Sequence, residues 1–525
     1  MLRFNRSTVR VAIGLLVALF IISLLQETSS DQGSTSWRWS FTWSSSETDP
    51  ARRSTSLTDD YQLPITPQTP DSAIPARPED VLLPTKLLSH QQGWNVLENV
   101  YMANSTLYFL TNDPKKWPKL NLFTSSAHPL KWTDADKKAR EPSEWDIAFI
   151  SSQEAKARWG SRVMPVKDWT FYVNEPNQFL GHYYHWVGET YFAIQRVYAS
   201  LDPHIDVKGT TKLPHPARFV FRNIDYPEWI KWAPINWRVI QTLYPSAAVE
   251  TASQWEQRGN ITRDNRSVWR FDQVLMADRG AAFREQLHPG RNHRAASSAW
   301  EGTLNSSSRF WWEPVRRGVL RAAGVDEEII DRPSNWADWK GAFTGDQKPS
   351  QRDMDVLQKA PTLAPVVISY ISRQRVRRRM IEADEAGFVK SVKELTARRK
   401  WKFNHVFMEE LTPEQQLAIA AETTIMIGVH GNGLTHLLWM PLTPLTTVME
   451  IFYPTGFAKD YEWTARVLGF THYAIHNDTA YTHPTEPKVN YPNGFQGTQI
   501  PIHGPSVAKI IEDRIDGRLL PQPGW

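Results

Sequence analysis

The stretch "GVHGNGLTHLLWMP" runs from Gly428 to Pro441 and decides how the second half of the chain is read. Just before it, Thr424–Val429 is an apolar, β-branched run of strand type. Three glycines, Gly428, Gly431 and Gly433, then surround His430, and an apolar run predicts a short helix starting near Leu434. One reading is a plain left-handed turn joining strand to helix. The other is a loop whose backbone a ligand approaches closely. Glycine permits positive φ and close approach, and a helix start aims free N–H groups and a positive dipole end at whatever sits there. The spacing G-x-x-G-x-G is neither the dinucleotide fingerprint nor a P-loop.

Outward from the loop, apolar runs and amphipathic segments alternate. "APVVISYISR" reads as a buried strand, "MIEADEAGFVKSVKELTARR" as a helix, and "KFNHVFMEE" as a strand. "TPEQQLAIAAE" reads as a helix with Thr412 at its N-cap and Pro413 in its first turn. "TTIMIGV" and "TTVMEIFY" are further strands. Strand–helix alternation at this spacing predicts a parallel, doubly wound sheet. In such sheets ligands bind beyond the carboxyl ends of the strands, which is where the glycine loop falls.

The loop together with "TTVMEIFYP" resembles the signature of glycosyltransferase family 61, roughly G-x-H-G-A-G-L-T-N-x-x-F-x-x-P followed by an apolar strand ending in Glu. The family includes plant xylosyltransferases and secretory-pathway O-GlcNAc transferases. The clear resemblance covers about Ala364–Ile475, and a weaker one Asn174–Val197. Asn432 stands where the family often has Ala, and His436 where it often has Asn. The resemblance implies an α/β fold of GT-B type, with two Rossmann-like domains facing across a cleft. It implies that Gly431, Asn432, Gly433, Leu434 and Thr435 cradle a diphosphate, to which His430 and Thr435 can add hydrogen bonds, and that Glu450 holds ribose hydroxyls.

"SYISRQRVRRRM" carries five arginines, which by composition alone form a solvated basic stretch. Arg373 is singled out because it follows a buried strand directly, where a guanidinium can offset leaving-group charge. The family also places Ser-Arg here with a further arginine beyond, which adds Arg379. Glu410, at the end of "KFNHVFMEE", is a further site candidate or a helix cap.

In the first half, "NQFLGHYYHWVGETYFAIQRVY" puts His182, His185 and Glu189 on one face of a predicted helix. A metal site, a packed face and general-base chemistry are the three readings. The family's H-x3-[D/E] matches His185 and Glu189 and implies that one of them is the base. "DAD" (Asp134–Asp136) and "DMD" (Asp353–Asp355) have the form of metal-binding motifs but lie in charged, polar surroundings, and are read as solvated loops. No metal and no cofactor are expected.

The bulk numbers frame these readings. The chain has 525 residues, room for two or three domains at about 100–200 each. A net charge of +4 with scattered basic residues argues against a nucleic-acid partner. With no cysteine, disulfides and thiol chemistry are excluded. Arg3, Arg6 and Arg10 precede the apolar run Val11–Leu25, shorter than the roughly 20 residues of a full span. It reads as a signal anchor, with the alternative of a cleaved signal and a secreted protein. Residues 1–26 are then a cytoplasmic tail and anchor, and 27–80, rich in Ser, Thr and Pro, a disordered stem. Residues 81–335 are an acceptor-side domain, 335–359 a polar connection, and 360–525 a nucleotide-sugar domain. Asn104, Asn260, Asn265, Asn305 and Asn477 are N-glycan acceptors by triplet.

The expectation is an inverting glycosyltransferase of the Golgi or ER membrane, its catalytic part lumenal. It would move xylose or N-acetylglucosamine from a UDP-sugar to a glycan or glycoprotein hydroxyl. The alternative is a non-catalytic sugar-binding or scaffold protein on the same fold.

Overall fold

In this computed structural model the described residues are 81–129, 133–225, 234–283, 294–337 and 351–519. The expected anchor and stem lie outside them. Among the described residues no helix is long and apolar enough to cross a membrane.

Two sheets organise Ile74–Trp525, which forms one compact unit. The second is the one the glycine loop predicts. Its strands are β9 (Val367–Ile371), β10 (Lys402–Val406), β11 (Ile425–Val429), β12 (Thr447–Ile451), β13 (Thr471–His476) and β14 (Thr479–Tyr481), in the order β10-β9-β11-β12-β13-β14. All neighbours are parallel except β13 and β14. β9, β11 and β12 are buried along their whole length, as continuous apolar runs require when helices cover both faces. Helices α2 (Glu382–Arg399), α3 (Pro413–Glu422) and α4 (Asp460–Val467) make the crossovers, and α5 (Gly504–Ile515) closes the chain; α1 is the helix Phe192–Ala199 of the first half. α3 starts as the sequence predicts. Thr412 accepts from the Gln415 backbone N–H, Gln415 returns the bond, and Pro413 fills the first turn.

The strand order reverses between β9 and β11. That reversal is the topological switch point, and the carboxyl edge there is the place where open α/β sheets bind ligands.

The first sheet contains β1 (Lys86–Gln91), β2 (Trp94–Ala103), β3 (Thr106–Leu110), β4 (Ile147–Ile150), β5 (Val163–Val173), β6 (Arg218–Phe221), β7 (Ala248–Glu250) and β8 (Val268–Ala277). Its order is β4-β3-β2-β8-β5-β6-β7, with β1 beside the first stretch of β2. The expected Rossmann-like sheet is found only in part. β5, β6, β7 and β8 are parallel, whereas β2 runs antiparallel to β1, β3 and β8. The cause is local: Asn104 and Ser105 both adopt positive φ and fold β2 and β3 into a tight hairpin.

Three sequence readings are corrected. Residues 351–359, read as an irregular connection, belong to a helix Gln351–Leu363 that buries Leu357 and Ala360. Asp355, read in a loop, is on that helix. Asp134–Asp136, also read as a loop, opens the helix Asp134–Ala139, with Thr133 accepting from the Asp136 N–H. Acidic residues in a first turn complement the helix dipole, which accounts for them without a metal.

Candidate functional site

Arg373 lies two residues beyond β9, and Gly431 two beyond β11. The two touch. A Cβ placed on Gly431 would stand 2.4 Å from Nη1 of Arg373, and its φ of +149° is glycine territory. The guanidinium thus lies against the loop backbone. Arg373 is half-buried, and its Nε is buried without a hydrogen-bond partner. Arg378 is also half-buried; it donates from Nη1 to the His430 carbonyl at 3.1 Å and lies over the Phe495 ring. Among the described residues neither arginine has a carboxylate partner. Burial lowers the pKa of Arg378, and the charges of Arg373 and Arg377 lower it further. Two desolvated cations that repel one another call for an anion between them.

The sequence selected Arg379 and passed over Arg378, and the structure places them oppositely. The Arg379 backbone bonds to Gly497 and Ile500, and its side chain is exposed. Arg378 turns inward. Glu410 sits on a short 3-10 turn, exposed, and pairs with Arg375.

After Gly431 the chain forms a 3-10 helix, Asn432–Trp439, in place of a helix starting near Leu434. Leu434 and Thr435 are buried, and Asn432 is exposed. Without a Cβ, Gly433 leaves room for the Ile371 side chain. His430 is buried, with Nδ1 2.5 Å from Glu450 Oε1, while Glu450 Oε2 meets His472 Nε2 at 2.9 Å. Glu450 is fully buried between these two rings. Burial pushes its carboxyl well up and, with the charges of Arg378, Arg294 and Arg373, holds His430 well below the imidazole range. His430 is therefore neutral. Its Nε2 makes no hydrogen bond among the described residues.

The first half meets this loop directly. His185 and Glu189 lie on a π-helical segment, Tyr184–Tyr191, that runs into α1. The sequence predicted a regular helix. The wider π turn is a feature common at functional sites. The Tyr184 N–H donates to Asn432 Oδ1 at 3.2 Å, and Thr435 Oγ1 donates to the same oxygen at 3.3 Å. Gly188 leaves room for the Tyr184 ring, since a Cβ there would stand 3.0 Å from it, and lies in ordinary contact range of the Thr435 methyl. Arg294 also bridges the halves, pairing with Asp460 at 2.8 Å, and Tyr184 donates to the Asp460 carbonyl.

His185 Nδ1 lies 2.7 Å from Glu189 Oε2, and Arg279 donates to the same oxygen from Nε at 3.0 Å and from Nη2 at 2.7 Å. Glu189 is 1% exposed, whereas the His185 side chain is 28% exposed. Burial opposes ionisation of Glu189, but Arg279 and the His185 hydrogen bond outweigh it and hold the carboxylate well below its usual range. The pair therefore presents an anchored anion behind an accessible imidazole whose Nε2 is free among the described residues. His182 is exposed beside it, its ring 4.7 Å from that of His185. Sequence reasoning missed Arg279 and Arg294, which carry no local motif, and Arg378, which is hidden within a basic run.

Elsewhere, Glu462, His483 and Glu486 come close enough to share an ion, but Lys459 pairs with Glu486 there. Asn104, Asn260 and Asn305 are exposed, while Asn265 and Asn477 are half-buried. The hydroxyl of the Asn260 triplet, on Thr262, is fully buried and engaged by Asn104 and Gly259.

Comparison with known proteins adds two findings. Residues 330–449 match the family model described as glycosyltransferase 61. An 81-residue stretch is 38% identical to the EGF domain-specific O-linked N-acetylglucosamine transferase of Drosophila melanogaster. That match spans 15% of this chain and 15% of the relative. The family match takes in Arg373, Arg378 and the whole glycine loop, ends just before Glu450, and does not reach His185 or Glu189. The resemblance carried by the glycine loop is thus borne out by the match of residues 330–449 to the glycosyltransferase 61 model.

Proposed function

We propose that the chain is an inverting glycosyltransferase of GT-B type that uses a nucleotide-sugar donor, UDP-N-acetylglucosamine or UDP-xylose. The observation that carries this is the pair of half-buried arginines, Arg373 and Arg378, lying without carboxylate partners against Gly431 and His430 at the switch point of the sheet. A diphosphate supplies the missing negative charge. The glycosyltransferase 61 match over the same residues names a transferase of sugars, and the name of the Drosophila relative adds N-acetylglucosamine.

The geometry supports a role for each residue. His185 Nε2 takes the proton from the acceptor hydroxyl. The oxygen then attacks the anomeric carbon as the bond from that carbon to the diphosphate oxygen breaks. Arg373 and Arg378 stabilise the departing diphosphate. Glu189, shielded and held ionised by Arg279, stabilises the imidazolium; it is too acidic and too buried to be the base. Glu450, with both oxygens committed to His430 and His472, orients His430 and does not reach out to a ribose. Residues 1–26 would anchor the protein in the Golgi or ER membrane with this site lumenal.

The test is a panel of nucleotide sugars scored for release of free nucleoside diphosphate, with and without EDTA, alongside Arg373→Ala and His185→Ala. One donor turned over without EDTA sensitivity and lost in both variants is the expected result. No nucleotide binding at all would sink the reading of the loop.

A further inference from the structure

Behind the His185–Glu189 pair lies a third carboxyl group, Glu175, just beyond the end of β5. It is fully buried. Its Oε1 accepts from the backbone N–H of Arg279 at 2.9 Å and meets Thr190 Oγ1 at 3.5 Å. Its Oε2 is buried with no hydrogen-bond partner among the described residues. Arg279 is thus held from both ends. Glu175 grips its backbone, and Glu189 takes its guanidinium, which also lies 3.9 Å from the centre of the Phe179 ring.

We propose that Glu175 is a positioning residue for the His185–Glu189 pair, acting as the neutral acid to fix Arg279. The charge count supports this. Of the charges that act on Glu175, only Arg279 is positive, against Asp278 and Glu189, while Glu189 also feels Arg294. Asp278 is fully engaged by Thr124, Ser125, Asn174 and the Ala281 N–H. Glu189 takes the guanidinium hydrogen bonds. A negative charge on Glu175 would be only partly compensated, by Arg279, and would leave a buried oxygen without a hydrogen bond among the described residues, which is a costly state. Burial, reinforced by Asp278 and Glu189 and only partly offset by Arg279, pushes this carboxyl up to about 8. Ionisation above that pH would compete with Glu189 for Arg279 and loosen the support of His185.

The inference rests on the reading of His185 as base, so the test has an arm that needs no activity. The full chain is compared with Glu175→Gln and Glu175→Ala. The folded wild type keeps a proton that the unfolded chain releases near 4.5. Its stability therefore falls from about pH 5 to about pH 8 relative to Glu175→Gln. The expected result in thermal unfolding is a wild-type melting temperature that falls relative to that of Glu175→Gln over that window. With the donor found by screening, wild-type kcat should fall above about pH 8 while that of Glu175→Gln does not, with KM within about twofold in both. Glu175→Ala should lose about tenfold or more in kcat. A melting-temperature gap that is constant with pH, or identical kcat profiles for wild type and Glu175→Gln, would overturn the proposal. If Glu175→Ala does not fold, the Gln variant decides alone. If no donor is turned over by any variant, the functional reading fails and the unfolding arm still decides the charge of Glu175.

Discussion

At the scale of single residues, the site depends on what glycine leaves out. Gly431 carries no Cβ, so Arg373 can lie on the backbone. Gly431→Ala would drive a methyl into that guanidinium and strain a backbone at φ +149°, a cost of about 1–3 kcal/mol. We expect nucleotide affinity, read by titration calorimetry, to fall at least about tenfold. Arg378→Ala should weaken UDP binding as much as Arg373→Ala, whereas Arg379→Ala should leave it within about twofold. The residue scale is also where sequence reasoning was least complete. It found Arg373 from its place after a strand. It could not separate Arg378 from Arg379, because which of two adjacent arginines turns inward is set by the pairing of Arg379 with Gly497 and Ile500, over a hundred positions away.

At the scale of elements, local rules performed well wherever an element makes its own bonds. α3 and its capping box were legible because cap, proline and periodicity all lie within one short window. Thr412→Ala should cost about 1 kcal/mol of stability in a denaturant titration, with the site unaffected. The π-helical segment was not legible. It bonds through the Tyr184 N–H to Asn432, a partner far away in the chain that no local pattern records. Gly188→Val would meet both the Tyr184 ring and the Thr435 methyl, and should cut turnover more than it cuts UDP affinity, since it displaces His185 rather than the arginines. Equal losses in both, measured side by side, would count against that placement.

At the scale of the molecule, the two sheets share one hydrophobic core that includes Trp186, Trp312 and Trp439. Hydrogen bonds run across it: Trp439 Nε1 donates to the Tyr183 hydroxyl and Trp312 Nε1 to the Leu438 carbonyl. Three histidines, His430, His436 and His472, are buried in the second half, and burial lowers the pKa of each, of His436 to about 4 and of His472 to about 3. The unfolded chain binds protons at these rings below about 6.5 and the folded chain does not, so their contribution lowers stability as pH falls from about 6.5 toward 4. Melting temperature should drop over that window, and His436→Gln should flatten the drop.

By itself, the sequence determined the parallel sheet of the second half, the position of the glycine loop on it and the family that this segment resembles. Each of these rests on contacts close in the chain: apolar runs that must be buried on both faces, a cap, and glycines at a strand end. Only the tertiary structure decided the rest. The mixed order of the first sheet, the inward turn of Arg378, the capture of Glu450 by two histidines and the Glu175–Arg279–Glu189–His185 chain all depend on groups far apart in sequence. A buried charge must find its partner wherever the fold supplies one, and no local pattern records where that is.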